Sequence, residues 1–213
     1  MTVIVEEDAI LRAKSDKKKN FLPERTTSST GRKLTVEQAE EVASGRSFEL
    51  IDGEVVYKMP DSRHADVQGL LCIELGVYLK KNQIGRIRPE YMIRPWPDKP
   101  LEGRTPDLSV ILNENFNPKE RYASRAPDIA IEIVSSNDLW NDLFDKTTLY
   151  LEHGSQEVWI VDPFQRGVEV ITKEDRRWVK DVLTSPILPN FSVEINHIFD
   201  WPEAEPAKSG KSS

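Results

Sequence analysis

Cysteine is nearly absent from this sequence, which holds a single one, Cys72, among 213 residues. One thiol cannot form an internal disulfide, and it cannot build a metal cluster of cysteine ligands. Long apolar runs are missing too, since no stretch approaches the roughly 20 residues that span a bilayer. The N-terminus also lacks the basic region of a secretory signal. We therefore expect a cytoplasmic protein with neither a membrane span nor a secretory signal.

A basic charge balance is lacking as well, because the formal net charge is −7. A protein of that charge is not drawn to nucleic acid by its overall field, so binding would need a local basic patch. The sequence offers one candidate set, made of Arg86, Arg88, Arg94, Arg104, Lys119, Arg121 and Arg125. The alternative is that these residues are ordinary solvated surface charges.

The length suits one folded domain with polar ends, by the usual size of about 100–200 residues per domain. Residues 1–33 contain a lysine run and a tract of Ser and Thr with too few apolar side chains to pack. We predict a disordered extension there. Residues 34–200 are predicted to form the folded domain, and residues 201–213 a flexible tail. No internal repeat is visible.

The first part of this domain carries recognisable start and turn signals. Thr35 and Gln38 form a capping-box pattern, which predicts a short helix. The segment FELIDGEVVYKM, residues 48–59, predicts a hairpin, because its Asp-Gly pair suits a turn with positive φ at both central residues. Apolar residues then recur at helical spacing, which predicts a longer helix capped by Asp61 or Ser62.

Two apolar strand patterns follow, and each carries a carboxylate. The segment TPDLSVIL, residues 105–112, opens with Asp107. In PDIAIEIVSS, residues 127–136, isoleucines alternate with other residues, and Glu132 lies on the face opposite the isoleucines. An irregular strand is predicted before them, over residues 84–93.

A helix is predicted directly after the second of these strands, over residues 139–153, with Asn137 and Asp138 as its cap. Lys146 shares one helical face with Leu139, Leu143 and Tyr150. Two carboxylates from two strands and one lysine from the following helix are therefore expected to converge.

The last part of the domain reads as strands. EVWIVDP (157–163) predicts a buried strand, GVEVIT (167–172) and RRWVKDVLT (176–184) predict a meander, and ILPNFSVEINHIF closes the domain. In outline, the order of elements predicts a mixed α/β sheet flanked by helices.

The candidate residues suit phosphodiester hydrolysis. This reaction needs an activated water and neutralisation of charge at the scissile phosphate, and a divalent ion supplies much of both. Magnesium prefers oxygen ligands. Asp107, Glu132 and the main-chain carbonyl of Ile133 are therefore the candidate ligands for Mg²⁺ or Mn²⁺, and Lys146 is the candidate to assist the attacking water.

These segments resemble the PD-(D/E)XK nuclease superfamily, and more closely its branch called the Uma family of putative restriction endonucleases. The resemblance rests on the order, from Leu34 to Phe199, of FELIDGEVV, SRHADVQGLL, TPDLSVIL, APDIAIEIVSSND, LFDKTTLYLEHGSQEVWIVDP and ILPNFSVEI. It implies a restriction-endonuclease-like αβββαβ core, metal dependence and a nuclease site at Asp107, Glu132 and Lys146. Val134 stands where the superfamily pattern has lysine, and the helix lysine appears as its substitute.

The function expected from this resemblance is a divalent-metal-dependent endonuclease acting on DNA, by family analogy. A homodimer suits the cutting of two antiparallel strands, because two-fold symmetry repeats the site. The alternative is a non-catalytic binding or assembly module that retains the nuclease fold. The acidic charge balance and Val134 motivate that alternative.

The site residues also have simpler interpretations. Asp107 fits a turn residue at the start of a strand. Glu132 fits a solvent-facing residue of an edge strand, although the apolar residues on its side argue for a covered face. Lys146 fits a surface pair with Asp142 at i,i+4 spacing.

Three further residues are considered, either as additional members of the site or as residues with an ordinary structural role. Glu49 either approaches the metal as an additional carboxylate or simply alternates in its hairpin strand. His64, in the first turn of the longer helix, either contacts a phosphate or is exposed. Asp128, which follows Pro127, is predicted to be a cap or turn residue.

Overall fold

The computed structural model describes residues 24–28, 31–136, 138 and 140–200. Its centre is a six-stranded mixed sheet. The first described elements are β1 (Arg25–Thr26), α1 (Val36–Ala43), β2 (Phe48–Ile51), β3 (Glu54–Tyr57), α2 (Ser62–Asn82) and β4 (Gly85–Pro89). They are followed by β5 (Leu108–Leu112), a 3₁₀ turn (Asn113–Asn115), β6 (Ile129–Ile133), α3 (Trp140–Glu152), β7 (Glu157–Asp162), β8 (Gly167–Ile171), β9 (Arg176–Val179), β10 (Val182–Thr184), β11 (Ser192–Glu194) and α4 (Ile195–Ile198).

The central sheet has the strand order β4-β5-β6-β7-β8-β9. Strands β6 and β7 are parallel, and helix α3 makes the crossover that parallel neighbours require. The order α2-β4-β5-β6-α3-β7 confirms the predicted restriction-endonuclease-like αβββαβ core. The predicted N-terminal helix and hairpin are present as α1 and the β2-β3 pair. Within the described ranges, no helix is long and apolar enough to cross a bilayer.

The capping box, the hairpin turn and the helix cap predicted from the sequence are all present in the structure. Thr35 accepts a hydrogen bond from the backbone N–H of Gln38, whose side chain accepts one from the N–H of Thr35, so the capping box is formed. Asp52 and Gly53 have φ angles of 49° and 74°, the positive values that the hairpin turn needs. Of the two predicted caps of α2, the structure uses Asp61.

Strand alternation divides the core into two layers. The three isoleucines of β6 pack with α2, whereas Ala130 and Val134 pack with α3 on the other face. Glu132 lies between these two residues and therefore belongs to the α3 side. Both layers are buried because β6 lies inside the sheet, between β5 and β7.

The structure corrects three predictions about the extent of strands. Arg25 and Thr26 pair with β3, so disorder does not hold for these two residues of the predicted extension 1–33. The strand predicted over residues 84–93 ends at Pro89, because Glu90 adopts a left-handed conformation with φ 47°. The strand predicted over residues 176–184 is divided into β9 and β10, since β10 pairs with β11 in a separate sheet.

Some predictions fall on residues outside the described ranges. They include most of the predicted extension, namely residues 1–23 and 29–30, and the predicted tail, residues 201–213. The predicted cap residue Asn137 and the predicted helix residue Leu139 also lie outside those ranges. The cytoplasmic location stays a prediction.

Candidate active site

The two carboxylates predicted from the strand patterns lie side by side. Strands β5 and β6 are antiparallel with Leu108 opposite Ile131, and the next step of that register brings Asp107 opposite Glu132. Asp107 is 1% exposed and Glu132 is 2% exposed. The Oδ2 atom of Asp107 accepts a hydrogen bond of 2.7 Å from the N–H of Ile133. Sheet pairing alone therefore positions the predicted pair, and the interpretation of Glu132 as a solvent-facing edge residue is wrong.

Lys146 reaches these carboxylates from helix α3. Its Nζ lies 3.3 Å from Oε2 of Glu132 and 3.0 Å from Oε1 of Glu49. The lysine therefore pairs with two buried carboxylates instead of forming the surface pair with Asp142. The helical face inferred from the sequence correctly places Lys146 toward the sheet.

Glu49 joins the group from strand β2 of the hairpin. Its side chain is buried, and Oε1 accepts a hydrogen bond of 3.2 Å from the N–H of Thr105 as well as the contact from Lys146. Thr105 stands two residues before Asp107, and its hydroxyl donates to the carbonyl of Phe48 at 2.8 Å. These bonds tie the hairpin to the start of β5, and they bring a third carboxylate to the site.

Sequence reasoning missed Lys58, which lies directly after strand β3. Its Nζ donates a hydrogen bond to Oδ1 of Asp107 and a second one of 2.8 Å to the carbonyl of Thr105. The available signal was a lysine at the end of the strand that pairs with the strand of Glu49. That signal was too weak to use, because Lys58 and Asp107 are 49 residues apart in the chain.

His64 also belongs to this group, so the interpretation of an exposed residue is wrong. It is 4% exposed, and its Nε2 lies 3.0 Å from Oδ2 of Asp107. The capping carboxylate of Asp61 accepts hydrogen bonds from the N–H of His64 at 3.0 Å and from the N–H of Ser136 at 3.2 Å. The cap therefore holds the start of α2 close to the chain that leaves β6.

Tyr150 completes the surroundings of Glu132. Its hydroxyl donates a hydrogen bond of 2.6 Å to Oε1 of Glu132. Tyr150 was placed with Lys146 on one helical face by its spacing, but no contact with the carboxylate was predicted. Both oxygens of Glu132 thus meet side chains of α3, the hydroxyl on one and the ammonium on the other.

The charges of the site shift its pKa values in different directions. Burial acts to raise the pKa of Asp107, but the positive charge of Lys58 and the hydrogen bond from His64 outweigh it and hold that pKa far below its usual range. Burial raises the pKa of Glu132 to about 7 against the opposing charges of Lys146 and Lys58. The pKa of Lys146 is raised, because the carboxylates outweigh the effect of its burial. Glu132 is therefore the carboxylate of the site that exchanges a proton near neutral pH.

The group borders one cavity of about 270 Å³. Its lining includes the charged residues Glu49, Lys58, Asp107, Glu132 and Lys146 together with His64, and farther out Arg25, Glu90, Arg104, Asp138, Asp142 and Asp145. Seven carboxylate side chains line this cavity with four Lys or Arg side chains, so acidic groups are in excess. A divalent cation fits that excess and the hard oxygen donors.

The side chains limit how such an ion would be held. Over the described ranges, no three side chains of His, Cys, Asp or Glu are grouped so as to hold a metal ion. The fit therefore requires a main-chain oxygen beside Asp107 and Glu132. Ile133, the predicted carbonyl ligand, borders the same cavity. An ion would also have to share Asp107 with Lys58 or replace it.

Comparisons with known proteins identify the family and the fold. A family model described as Uma2, putative restriction endonuclease, matches residues 35–195. The crystal structure of a putative nuclease belonging to DUF820 from Anabaena variabilis ATCC 29413 is similar, with a TM-score of 0.65 and 21% sequence identity. The match covers 79% of this chain and 98% of that chain. At this identity the likeness shows the fold alone. No curated protein gives a significant match.

Proposed function

Because this chain belongs to the Uma2 family of putative restriction endonucleases, we propose that it is a divalent-metal-dependent endonuclease that hydrolyses DNA phosphodiester bonds. The observation that carries the proposal is the meeting of Asp107, Glu132 and Lys146 at one cavity. These three residues come from two neighbouring strands and the next helix; the two carboxylates are buried, and the half-buried Lys146 contacts Glu132. A buried cluster of this kind is costly for a fold, and such clusters are typical of functional sites.

Asp107 and Glu132, together with the carbonyl of Ile133, are the proposed ligands of Mg²⁺ or Mn²⁺. A bound ion would lower the pKa of an attacking water and offset the charge that develops on the phosphate. Oδ2 of Asp107 is already held by the N–H of Ile133 and by His64. These two partners keep the carboxylate in one orientation, and Oδ1, which Lys58 contacts, is the oxygen that an ion would share or take over.

Lys146 is proposed to assist the attacking water. Its ammonium lies between Glu49 and Glu132, so its position is determined by two buried carboxylates. Glu49 then acts as a positioning residue for Lys146. Glu132, with a pKa of about 7, is able to take up a proton at neutral pH.

Lys58 is proposed to serve the same site from the other side. Its ammonium contacts Oδ1 of Asp107 and its side chain is 14% exposed at the cavity. A positive charge in this position stabilises an ionised Asp107 and offsets the charge of a neighbouring phosphate. The DNA substrate follows from the family, and a homodimer follows from the need to cut two antiparallel strands.

The test is cleavage of supercoiled and linear DNA by the purified protein with Mg²⁺ or Mn²⁺. We expect metal-dependent nicking that is lost in Asp107→Ala and in Glu132→Ala. Glu169→Ala is the matched control, because Glu169 forms an ion pair with Arg176 on strands β8 and β9, away from the cavity lining. Retained cleavage in both site variants would refute the assignment of the two ligands.

A second candidate function is a binding or assembly module that has kept the nuclease fold. One observation favours it: Lys58 and Lys146 already neutralise the carboxylates that a metal would need. Cleavage and melting measurements on the same purified protein distinguish the two functions. Absence of cleavage with either metal, together with a melting temperature that neither metal changes, would select the module.

A further inference from the structure

The basic residues that flank Asp107 in the sequence separate into two groups in the structure. Four of the seven have a carboxylate partner: Arg94 pairs with Glu37, Arg104 with Glu102, Arg121 with Glu40 and Arg125 with Asp128. Arg86, Arg88 and Lys119 have no carboxylate within ion-pair distance in the described part of the chain. The candidate basic patch thus shrinks to residues whose charge is not already neutralised.

Arg86 and Arg88 lie on the face of the sheet that carries Asp107. They are the cross-strand partners of Ile111 and Ser109 on β5, and Asp107 precedes Ser109 by two residues. Alternate residues of a strand share a face, so Asp107, Ser109 and Ile111 point the same way. The two arginines therefore continue, in steps of about 7 Å, a row that begins at the carboxylate of the site.

Aromatic rings hold both guanidinium groups. The Cζ atom of Arg86 lies 4.1 Å from the ring centroid of Phe116, and that of Arg88 lies 4.9 Å from the same ring. Arg88 also lies 4.3 Å from the ring centroid of Tyr91. Stacking fixes the plane of a guanidinium. One N–H group of Arg86 donates to Oδ1 of Asn113 at 3.2 Å, and the other N–H groups of such a stacked guanidinium can bond to a phosphate.

The acidic residue nearest to Arg88 along the chain does not pair with it. Glu90 follows Arg88 by two residues, but its carboxylate lies 3.5 Å from the side-chain amide of Gln68 on helix α2. Arg88 is half-buried, and none of the described carboxylates lies within ion-pair distance of it. An approaching polyanion would supply the missing negative charge beside Phe116, near the end of the strand pair that carries Asp128, and from there it would extend along β5 to Asp107.

We propose that Arg86 and Arg88, held by Phe116 and Tyr91, bind the phosphate backbone of a DNA duplex that enters the site at Asp107. This inference rests on the proposed function, because it concerns the substrate of the same site. It explains how a protein with a net charge of −7 holds a polyanion, since two pre-oriented arginines act locally whatever the overall charge.

The test is binding of a fluorescently labelled DNA duplex, followed by anisotropy in EDTA over a series of salt concentrations. Arg86→Gln/Arg88→Gln is the test variant. Arg94→Gln/Arg121→Gln is the matched control, because it removes the same charge from two arginines that also lie near one ring, at 5.4 and 5.5 Å from that of Tyr122, but have carboxylate partners.

We expect the test variant to bind at least about tenfold more weakly, with a slope of log affinity against log salt that is smaller by about two. The control should bind like the unaltered protein, and equal melting temperatures would show that all proteins are folded. The inference is overturned if the test variant keeps the original affinity and slope, if the control loses as much, or if the unaltered protein does not bind DNA at low salt.

Parallel cleavage assays keep this inference apart from the proposed function. Metal-dependent cleavage together with unchanged DNA binding in Arg86→Gln/Arg88→Gln would overturn the inference alone. Binding that depends on the two arginines, in a protein that cleaves with neither metal, would support the surface and overturn the nuclease. That combination would instead describe the binding module.

Discussion

Two of the four Pro-Asp pairs in the chain open a buried strand of the central sheet. Asp107 follows Pro106 at the start of β5, and Asp128 follows Pro127 at the start of β6. Because β5 and β6 are antiparallel, the two aspartates lie at opposite ends of the same strand pair. They are equally buried, at 1% and 0% exposure. Their surroundings, however, differ in kind.

At the Asp128 end, the carboxylate is bound by groups that belong to the fold. Oδ2 accepts a hydrogen bond of 2.8 Å from the N–H of Leu112, and Oδ1 accepts bonds of 2.7 Å from Asn115 and 3.3 Å from Gln156. These donors hold the turn after β5 and the start of β6, as the prediction of a cap or turn residue expects. A carboxylate satisfied in this way is structural.

At the Asp107 end, one backbone N–H, that of Ile133, is joined by ionisable side chains in direct contact, whereas the ionisable partner of Asp128, Arg125, lies 3.6 Å away. Lys58 and His64 contact Asp107, and Lys146 contacts its neighbour Glu132. Ammonium groups can exchange for a metal ion or a phosphate, whereas backbone donors cannot. The comparison therefore teaches that the same dipeptide, at the same depth, marks a site or a structural anchor according to what surrounds it.

The largest expected effect is on cleavage. Asp107→Asn should lower the cleavage rate by about 10³-fold or more, because it removes a charge that faces the metal and the phosphate. Asp128→Asn should leave cleavage within about threefold once the protein is folded, and should instead cost about 1–3 kcal/mol of unfolding free energy, since an amide leaves one buried donor unpaired. Paired nicking assays and urea denaturation check both. A larger loss of cleavage in the Asp128 variant would break the comparison.

A second prediction concerns the cations at the two ends. Lys146→Met should lower the free energy of unfolding by about 3 kcal/mol, because it leaves Glu49 and Glu132 buried without their shared ammonium. Arg125→Met, at the Asp128 end, should cost less than about 1 kcal/mol, since Asp128 keeps its three hydrogen-bond donors. Urea denaturation at pH 8 checks the pair. Equal losses in the two variants would show that both ends are structural.

A third prediction uses the raised pKa of Glu132. Between the unfolded pKa of about 4.3 and the folded pKa of about 7, the folded protein binds more protons, so the free energy of unfolding falls as pH rises. Glu132→Gln removes that fall. In EDTA, the melting temperature of this variant minus that of the unaltered protein should therefore increase from pH 5 to pH 8, corresponding to roughly 2 kcal/mol. A constant difference would place the pKa of Glu132 in its ordinary range.

The smallest expected effect comes from His64. His64→Ala should lower cleavage by about tenfold, because Oδ2 of Asp107 keeps the N–H of Ile133 but loses its second partner. His153→Ala is the control, since this histidine bonds to the carbonyl of Leu149 at the end of α3. The rate of plasmid nicking at saturating metal checks the pair. A tenfold loss of the nicking rate in the His153 variant as well would show that the effect does not come from the contact of His64 with Asp107.

The elements and the two predicted carboxylates were predictable because their signals are local. A capping box, an Asp-Gly turn and a two-residue alternation act over a few neighbouring residues, and tertiary packing left them in place. Alternation placed Glu132 opposite the isoleucines, and helical spacing placed Lys146 beside Tyr150. The resemblance to a family then brought Asp107, Glu132 and Lys146 together.

The rest of the site could not be predicted in this way. Lys58 and His64 meet Asp107 only because the hairpin and the first turn of α2 pack against the start of β5. No periodicity in the sequence indicates which lysine or histidine will contact a residue so far away along the chain. The same holds for the basic residues, since partners from α1 and from loops neutralise some arginines, whereas Arg86 and Arg88 have no carboxylate partner among the residues that the structure describes.

The sequence by itself determined the order of helices and strands, the faces on which Glu132 and Lys146 lie, and the family of the chain. Only the tertiary structure decided that Glu49, Lys58, His64 and Tyr150 surround the site, and which arginines have a carboxylate partner among the described residues. The physical reason is that secondary structure depends on neighbours along the chain, whereas the state of a buried charge depends on groups that folding brings from distant segments.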